Sequence, residues 1–232
     1  TMMPSADAEW VAADLTRRFG LPLWSFALTA TDANRWALRL ARMVTDRPRV
    51  AAFSYCYHGS VDETFVQMGP DGETQIRQGN VGAPSAITDT TRAVEFNDLA
   101  SVERALAHGD VAVLIMEPAL TNIGIVLPEP GFLEGVTDLC RQHGTLLLID
   151  ETHTISAGPG GCTRAWGLDP DILVIGKSIG GGIPSGAYGI TERIAEMVKD
   201  HPDADLIDVG GVGGTLAGNV LSTAAMRATL EE

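Results

Sequence analysis

The fold is decided by two stretches, Thr145-Leu-Leu-Leu-Ile-Asp-Glu-Thr-His153 and Ile172-Leu-Val-Ile-Gly-Lys-Ser178. Each is a short, continuous apolar run followed by polar residues, which is typical of a strand buried on both faces of a parallel sheet. The first run ends at Asp150 and the second just before Lys177. Because ligands bind at the carboxyl ends of parallel strands, these two residues mark a candidate functional site.

Apolar runs of strand length alternate with helical segments along most of the chain. This alternation predicts an α/β fold, a three-layer domain with a mostly parallel sheet of about seven strands. The predicted strands span 24–28, 50–55, 92–96, 111–117, 145–149, 172–175 and 187–190. The predicted helices span 5–19, 33–44, 99–108, 132–143 and 193–199, with another from 217 onward. The stretches 69–90 and 210–218 are rich in glycine or proline and are predicted to be irregular.

The composition argues against several classes of protein. Of 232 residues, 45% are apolar, which is enough for a sizeable core. A net charge of −14 gives a surface that repels nucleic acid and anionic lipid. The N-terminal stretch has no basic segment followed by an apolar one, and the longest apolar runs are of strand length, so we expect neither export nor a membrane span. Cys56, Cys140 and Cys162 lie far apart, so we predict no disulfide, no metal site and a reducing cytoplasm.

No repeat and no low-complexity linker divides the chain, so the sequence predicts one domain over residues 1–232. The last predicted helix, which starts near Ala217, reaches Glu232 without a glycine cap or a following strand. We therefore expect the domain to be part of a longer polypeptide.

Asp150 and Lys177 allow two interpretations. A carboxylate at a strand end can keep a pyridinium nitrogen protonated, and an amine there can form an imine with an aldehyde. An acid and a lysine at neighbouring strand ends can equally form a structural ion pair. The chain has one other lysine, Lys199, which lies on a predicted helix. A lysine required for chemistry would therefore be Lys177.

Longer motifs around these residues resemble the class III aminotransferases, which belong to the pyridoxal-phosphate fold type I group and include glutamate-1-semialdehyde aminomutase. The matching segments are 148–153, 171–184 and 213–219. Segments 26–34 and 55–65 are most similar to the β-phenylalanine aminotransferase branch. The resemblance implies that residues 1–232 are the cofactor-binding large domain, without the N-terminal and C-terminal segments that build the small domain.

The resemblance also implies a function. The enzyme would use pyridoxal 5′-phosphate to move an amino group from an amino acid, with an aromatic β-amino acid as one candidate, to a 2-oxo acid. It would act as a homodimer. Two alternatives stay open, which are an aminomutase of the glutamate-1-semialdehyde type and a non-catalytic fragment of the same fold.

Four residues would provide the chemistry and the phosphate site in such an enzyme. Lys177 would hold the cofactor as a Schiff base and move the substrate proton, and Asp150 would pair with the pyridine nitrogen. The phosphate would lie against Ala30 and Thr31 at the start of a helix. Ala30 replaces the glycine that is usual in the family, and Thr31 could equally be only a helix cap.

Three further residues would complete the cofactor site. Tyr57 would stack on the pyridine ring, although an ordinary loop tyrosine is the alternative. Asn122 would reach the phenolic oxygen of the cofactor or its neighbours, or serve only as a turn residue before Gly124. Thr215 would reach the phosphate of the neighbouring subunit's cofactor. Glu117 is either a supporting polar group or a solvated acid.

Overall fold

A seven-stranded sheet forms the centre of the protein in this computed structural model, which describes residues 3–84, 86–202 and 211–232. The strands are β1 (Leu23–Ala27), β2 (Arg49–Phe53), β3 (Val66–Met68), β4 (Thr74–Ile76), β5 (Thr91–Val94), β6 (Val111–Met116), β7 (Leu146–Asp150), β8 (Ile172–Ile175) and β9 (Gly186–Ile190). The order in the sheet is β1-β9-β8-β7-β6-β2-β5, and β3 and β4 form a separate hairpin. Only β9 runs opposite to the other strands of this sheet.

Helices follow most of the strands. They are α1 (Ala6–Phe19), α2 (Ala30–Thr45), α3 (Ile87–Thr90), α4 (Leu99–Leu106), α5 (Phe132–His143), α6 (Gly161–Ala165), α7 (Glu192–Asp200) and α8 (Val220–Leu230). Five of them begin after a polar side chain that accepts a hydrogen bond from the first turn, and these caps are Ser5, Thr29, Asp98, Thr191 and Asn219. Within the described residues, no helix combines the length and the apolar character that a membrane crossing requires.

The core lies on both faces of the sheet, as the alternation of side chains along β8 illustrates. Ile172 and Val174 pack in a cluster with residues of α2 and α7, whereas Leu173 and Ile175 pack with α1 and Met226 of α8. Successive strand residues point to opposite faces, so β8 needs helices on both sides. This arrangement is the predicted three-layer α/β fold.

The seven predicted strands and all six predicted helices are confirmed, with ends that differ by a few residues. The prediction that 69–90 is irregular is wrong in part, because β4 and α3 lie within it. The hairpin was missed because each strand has three residues and much of it is half-exposed, which leaves no apolar run to recognise. Residues 211–218 contain neither helix nor strand, and Gly210 lies outside the described residues.

The topology brings several loops together at one edge of the sheet. The carboxyl ends of β1, β2, β6, β7 and β8 lie at this edge because these strands run in the same direction. The chain leaves β1 and turns directly into α2, so the amino end of a long helix lies at the same edge. This is where a parallel α/β sheet binds ligands.

Candidate functional site

A cleft of about 440 Å³ opens at the carboxyl ends of the parallel strands. Segments from the β1–α2 turn, the loop after β2, the end of β7, the end of β8 and the turn before β9 form its walls. The lining residues are Leu28, Thr29, Ala30, Thr31, Tyr57, His58, Gly59, Asp150, Thr152, Lys177, Gly182, Ile183, Pro184 and Ser185. Five of the predicted site residues therefore meet in one cleft. No cluster of three or more potential metal-binding side chains occurs in the part of the chain that the structure describes.

Asp150 is the last residue of β7 and is buried, with 2% of its surface exposed. Its Oδ2 accepts hydrogen bonds from Asn34 Nδ2 at 2.9 Å and from His58 Nδ1 at 2.8 Å. Its Oδ1 accepts the backbone N–H of Thr152 at 3.0 Å. Asn34 Nδ2 also donates to the His58 carbonyl at 3.2 Å, so the two partners of the carboxylate are held together.

The charges of Asp150 and His58 stabilise each other. Burial raises the pKa of Asp150, but the hydrogen bond and charge of His58, together with the hydrogen bonds from Thr152 and Asn34, leave this pKa below its usual value. Burial lowers the pKa of His58, whereas the neighbouring Cys56 and Asp150 raise it, so this pKa lies well above 6.5. The folded protein therefore favours the charged pair of carboxylate and imidazolium. The cleft contains a carboxylate that stays ionised.

Lys177 follows β8 and begins a single 3₁₀ turn over 177–180. Its side chain is exposed and lines the same cleft as Asp150. Its φ is 49°, in the left-handed region that residues other than glycine rarely adopt. Within the described residues Asp150 pairs with His58 and not with Lys177, so the structural ion pair between the two candidate residues is not formed.

Three glycines approach the start of α2 closely. A Cβ added to Gly186 would lie 2.6 Å from the carbonyl carbon of Thr29, and one on Gly176 would lie 2.8 Å from Ala30 Cβ. A Cβ on Gly59 would overlap the Thr31 hydroxyl. The turn at the start of α2 is therefore enclosed by backbone from β8, β9 and the loop after β2.

The first turn of α2 presents free amide groups to the cleft. Thr29 caps the helix because its side chain accepts the N–H of Asp32 and its carbonyl accepts the N–H of Ala33, both at 3.1 Å. The amides of Ala30 and Thr31 then have no partner inside the helix. Thr29, not Thr31, is the helix cap, so the alternative interpretation of Thr31 is wrong. This end of a helix carries partial positive charge and suits an anion.

Tyr57 lies at the mouth of the cleft, with 41% of its surface exposed. Its ring packs edge-on against Phe65, with 6.2 Å between the ring centroids. Its backbone N–H donates to Glu117 Oε1 at 3.1 Å. Glu117 is only 3% exposed, so it is a supporting group and the alternative of a solvated acid is wrong.

Asn122 and Thr215 are exposed and do not line this cleft. Asn122 lies in the turn that joins the bridged residues Leu120 and Val126. Thr215 lies in the loop of residues 211–218, which is held to α2 by a hydrogen bond from Arg39 to the Gly211 carbonyl at 3.1 Å. The roles of both residues stay predictions.

Sequence reasoning missed Asn34 as a partner of Asp150. The signal was an amide on the buried face of α2, next to Ala33 and one turn before Ala37 and Leu38, where a polar side chain needs a hydrogen-bond partner. The sequence could not supply the identity of that partner, because Asp150 lies more than a hundred residues further along the chain.

The motifs and the arrangement of the cleft agree with a comparison against protein families, in which the class-III aminotransferase model matches residues 2–232. The chain belongs to the class-III aminotransferase family. The chain is 41% identical over 207 residues to the glutamate-1-semialdehyde 2,1-aminomutase of Desulfovibrio desulfuricans. This match covers 87% of the chain and 47% of that protein. The enzyme of the same name from Myxococcus xanthus is 40% identical over 206 residues, a match that covers 88% of the chain and 46% of that enzyme.

Solved structures of the class-III family superpose closely on the chain. A glutamate-1-semialdehyde aminomutase from Pseudomonas aeruginosa PAO1 in complex with PMP has a TM-score of 0.92 and 49% identity, and covers 100% of this chain and 52% of its own. An omega-transaminase from Sphaerobacter thermophilus has a TM-score of 0.87 and 31% identity. The match covers 100% of this chain and 54% of the omega-transaminase. The chain spans about half the length of these relatives.

Proposed function

We propose that this chain is the pyridoxal-phosphate-binding part of an enzyme that moves amino groups. The observation that carries the proposal is the shared cleft of Lys177 and Asp150, in which Asp150 is kept ionised and Lys177 is left to a ligand. The family membership and the complex of a relative with PMP support the same cofactor class. A non-catalytic fragment is less well supported, since structural packing alone does not require an exposed lysine in a left-handed conformation.

The residues of the cleft fit such a cofactor on three separate counts. The enclosed start of α2, with the free amides of Ala30 and Thr31, suits a phosphate group. The methyl group of Ala30 leaves its amide available, and Gly176 provides the space beside it. Asp150 suits a protonated ring nitrogen, and Tyr57 offers an aromatic face at the mouth of the cleft.

Bound pyridoxal phosphate supplies an electron sink for the carbon that carries the amino group. In the proposed mechanism Lys177 Nζ would hold the cofactor, and the free amine would accept and return the substrate proton. Asp150 would keep a proton at the ring nitrogen, and His58 and Asn34 hold Asp150 in place. The backbone amides of Ala30 and Thr31 would bind the phosphate and fix the orientation of the ring.

Lys177 is tested by chemical trapping. We expect borohydride reduction of the protein loaded with pyridoxal phosphate, followed by peptide mapping, to place the label on Lys177. Lys199, exposed on α7, is the internal control because both lysines meet the same reagents. A label on Lys199, or equal labelling of both, would contradict the assignment. A visible absorption band that changes on addition of an amine donor tests amino-group exchange itself.

Two reactions are candidates for the complete protein. Transfer from an amino acid, including an aromatic β-amino acid, to a 2-oxo acid is supported by the similarity to an omega-transaminase. Rearrangement within one substrate is supported by the more similar relatives, which are glutamate-1-semialdehyde aminomutases. The cleft residues serve both reactions, because both move an amino group and a proton at the same ring.

The dependence on a second substrate separates these reactions. An aminotransferase turns over β-phenylalanine or another donor only when a 2-oxo acid is added. An aminomutase converts glutamate-1-semialdehyde without any 2-oxo acid. Donor turnover that rises with 2-oxo acid concentration would rule out the pure mutase, and turnover of the semialdehyde alone would rule out the transferase.

We also propose that residues 1–232 form the large domain of a homodimer, in which Thr215 contacts the phosphate site of the neighbouring subunit. In support, Thr215 is exposed and lies outside the cleft of its own chain. A structure of the assembly with a phosphate analogue tests this, since a Thr215 remote from every phosphate site would contradict it.

Cys56, Cys140 and Cys162 are buried and free, which is compatible with a cytoplasmic enzyme.

A further inference from the structure

A chain of polar contacts runs along the side of the cleft and ends at Tyr57. The backbone N–H of Tyr57 donates to Oε1 of Glu117 at 3.1 Å. The hydroxyl of Thr121 donates to Oε2 of the same carboxylate, and Nδ1 of His153 contacts the Thr121 hydroxyl. The chain joins the loops after β2, β6 and β7, three segments that are distant in sequence.

The protons along this chain have a fixed direction. Thr121 has one hydroxyl proton, which it gives to Glu117. Nδ1 of His153 must therefore carry a proton and donate it to the Thr121 oxygen. Each contact orients the next, from His153 through Thr121 and Glu117 to the backbone of Tyr57.

Burial makes Glu117 a rigid link in the chain. Its side chain is 4% exposed, whereas that of His153 is 37% exposed. A buried carboxylate needs donors on both oxygens, and the Tyr57 amide is one of the few that it has. Loss of the Thr121 hydroxyl would leave Oε2 without its closest donor and free the carboxylate to turn away from Tyr57.

We infer that Thr121 and His153 are positioning residues that act through Glu117 to hold Tyr57 at the mouth of the cleft. The inference rests on the proposed function, because the proposed cofactor provides the aromatic ring that Tyr57 would contact. Asn122 is the neighbour of Thr121 in the chain, so the same contacts fix the turn that carries it. Neither Thr121 nor His153 lines the cleft, so each acts without contacting the ligand.

The test replaces the Thr121 hydroxyl without changing the shape of the side chain. In Thr121→Val we expect the dissociation constant for pyridoxal phosphate to rise about threefold to tenfold, the effect of one lost hydrogen bond. We also expect a weaker circular dichroism band from the bound cofactor, because the ring is held less rigidly. Thr121→Ser keeps the hydroxyl and should restore both values. Thr137→Val, which removes a hydroxyl bonded to the Leu133 carbonyl on α5, is the matched control.

A second variant covers the case in which Thr121→Val fails to fold. His153→Leu removes the other end of the chain of contacts at a partly exposed position, and we expect a weaker circular dichroism band. His153→Asn keeps a donor near the position of Nδ1, and we expect the band to recover. Normal binding and a normal band in both Thr121→Val and His153→Leu would overturn the inference alone. A wild-type protein that binds no pyridoxal phosphate would overturn the proposed function and, with it, the inference.

Discussion

Asp150 and Glu151 are consecutive buried carboxylates with different surroundings. Both are at most 2% exposed. Glu151 accepts hydrogen bonds from donors that all lie within twelve residues of it, in the segment from Thr154 to Thr163. Asp150 instead depends on Asn34 and His58, which belong to α2 and to the loop after β2.

The difference follows from the alternation of side chains at the end of a strand. Asp150 points into the cleft and Glu151 points away from it, toward α6. Glu151 therefore joins neighbouring parts of its own loop, whereas Asp150 joins three parts of the sheet edge around a space for a ligand. The contacts of Glu151 therefore stabilise its own loop, whereas Asp150 faces the space in which we propose that the cofactor binds.

The largest effect is expected for Asp150→Asn. An amide cannot hold a proton at the ring nitrogen, so we predict a fall in turnover of at least about a hundredfold, equivalent to ~2.7 kcal/mol in the activation barrier. The measurement is single-turnover kinetics, with circular dichroism to verify the fold. Asp169→Asn, at an exposed aspartate paired with Arg141, is the matched control and should leave turnover unchanged. If Asp150→Asn turns over at the wild-type rate, Asp150 has only a structural role.

A smaller effect, of a different kind, is expected for Glu151→Gln. The amide can accept only at its oxygen, so donors from Thr163, Thr154 or Cys162 lose their partner. We predict a loss of about 2 kcal/mol in the free energy of unfolding, measured by urea titration. The absorption spectrum of bound cofactor should stay that of the wild type. A shifted spectrum at unchanged stability would reverse the roles assigned to the two acids.

The smallest effect is a pH dependence that arises from the Asp150–His58 pair. Because the pKa of His58 is raised, the pair stabilises the fold fully below about pH 6.5 and loses this contribution as the pH rises through the higher folded-state pKa. Because the pKa of Asp150 is lowered, its contribution is present above its usual pKa of 3.8 and is lost as the pH falls further.

The His58→Gln variant isolates the alkaline part of this dependence. We expect its free energy of unfolding to be lower than that of the wild type at pH 6, with the difference narrowing as the pH rises. Urea titrations at several pH values measure the difference directly. A gap that stays constant with pH would mean that folding leaves the pKa of His58 unchanged, and a gap that widens as the pH rises through about 6.5 would mean that His58 is neutral in the folded protein.

Much of the fold was predictable because its signals are local. The apolar runs of β6, β7 and β8 are buried throughout, and a run of this kind reveals a central strand without knowledge of its neighbours. The hairpin of β3 and β4 carries no such run. Its strands are paired by contacts across a turn at Gly69–Gly72, which the sequence indicates only as a loop.

Five of the seven predicted site residues meet in the cleft, whereas their contacts could not be predicted. Asp150 ends one recognisable strand and Lys177 follows the next, so their meeting at one sheet edge could be expected. The partners of Asp150 could not, because Asn34 and His58 reach it from positions 116 and 92 residues away. The sequence could not decide whether Glu117 is a supporting group or a solvated acid for the same reason. Only the folded chain shows that its carboxylate accepts a hydrogen bond from the Tyr57 N–H.

The backbone at Lys177 carries a consequence for how such a sequence can change. A φ of 49° there costs a residue with a side chain about 1 kcal/mol relative to glycine. Selection for stability alone would therefore favour glycine at this position, next to Gly176. The proposed use of its amine would account for the lysine at this position. In a lineage without that use, selection for stability would favour glycine at position 177 while the fold is kept.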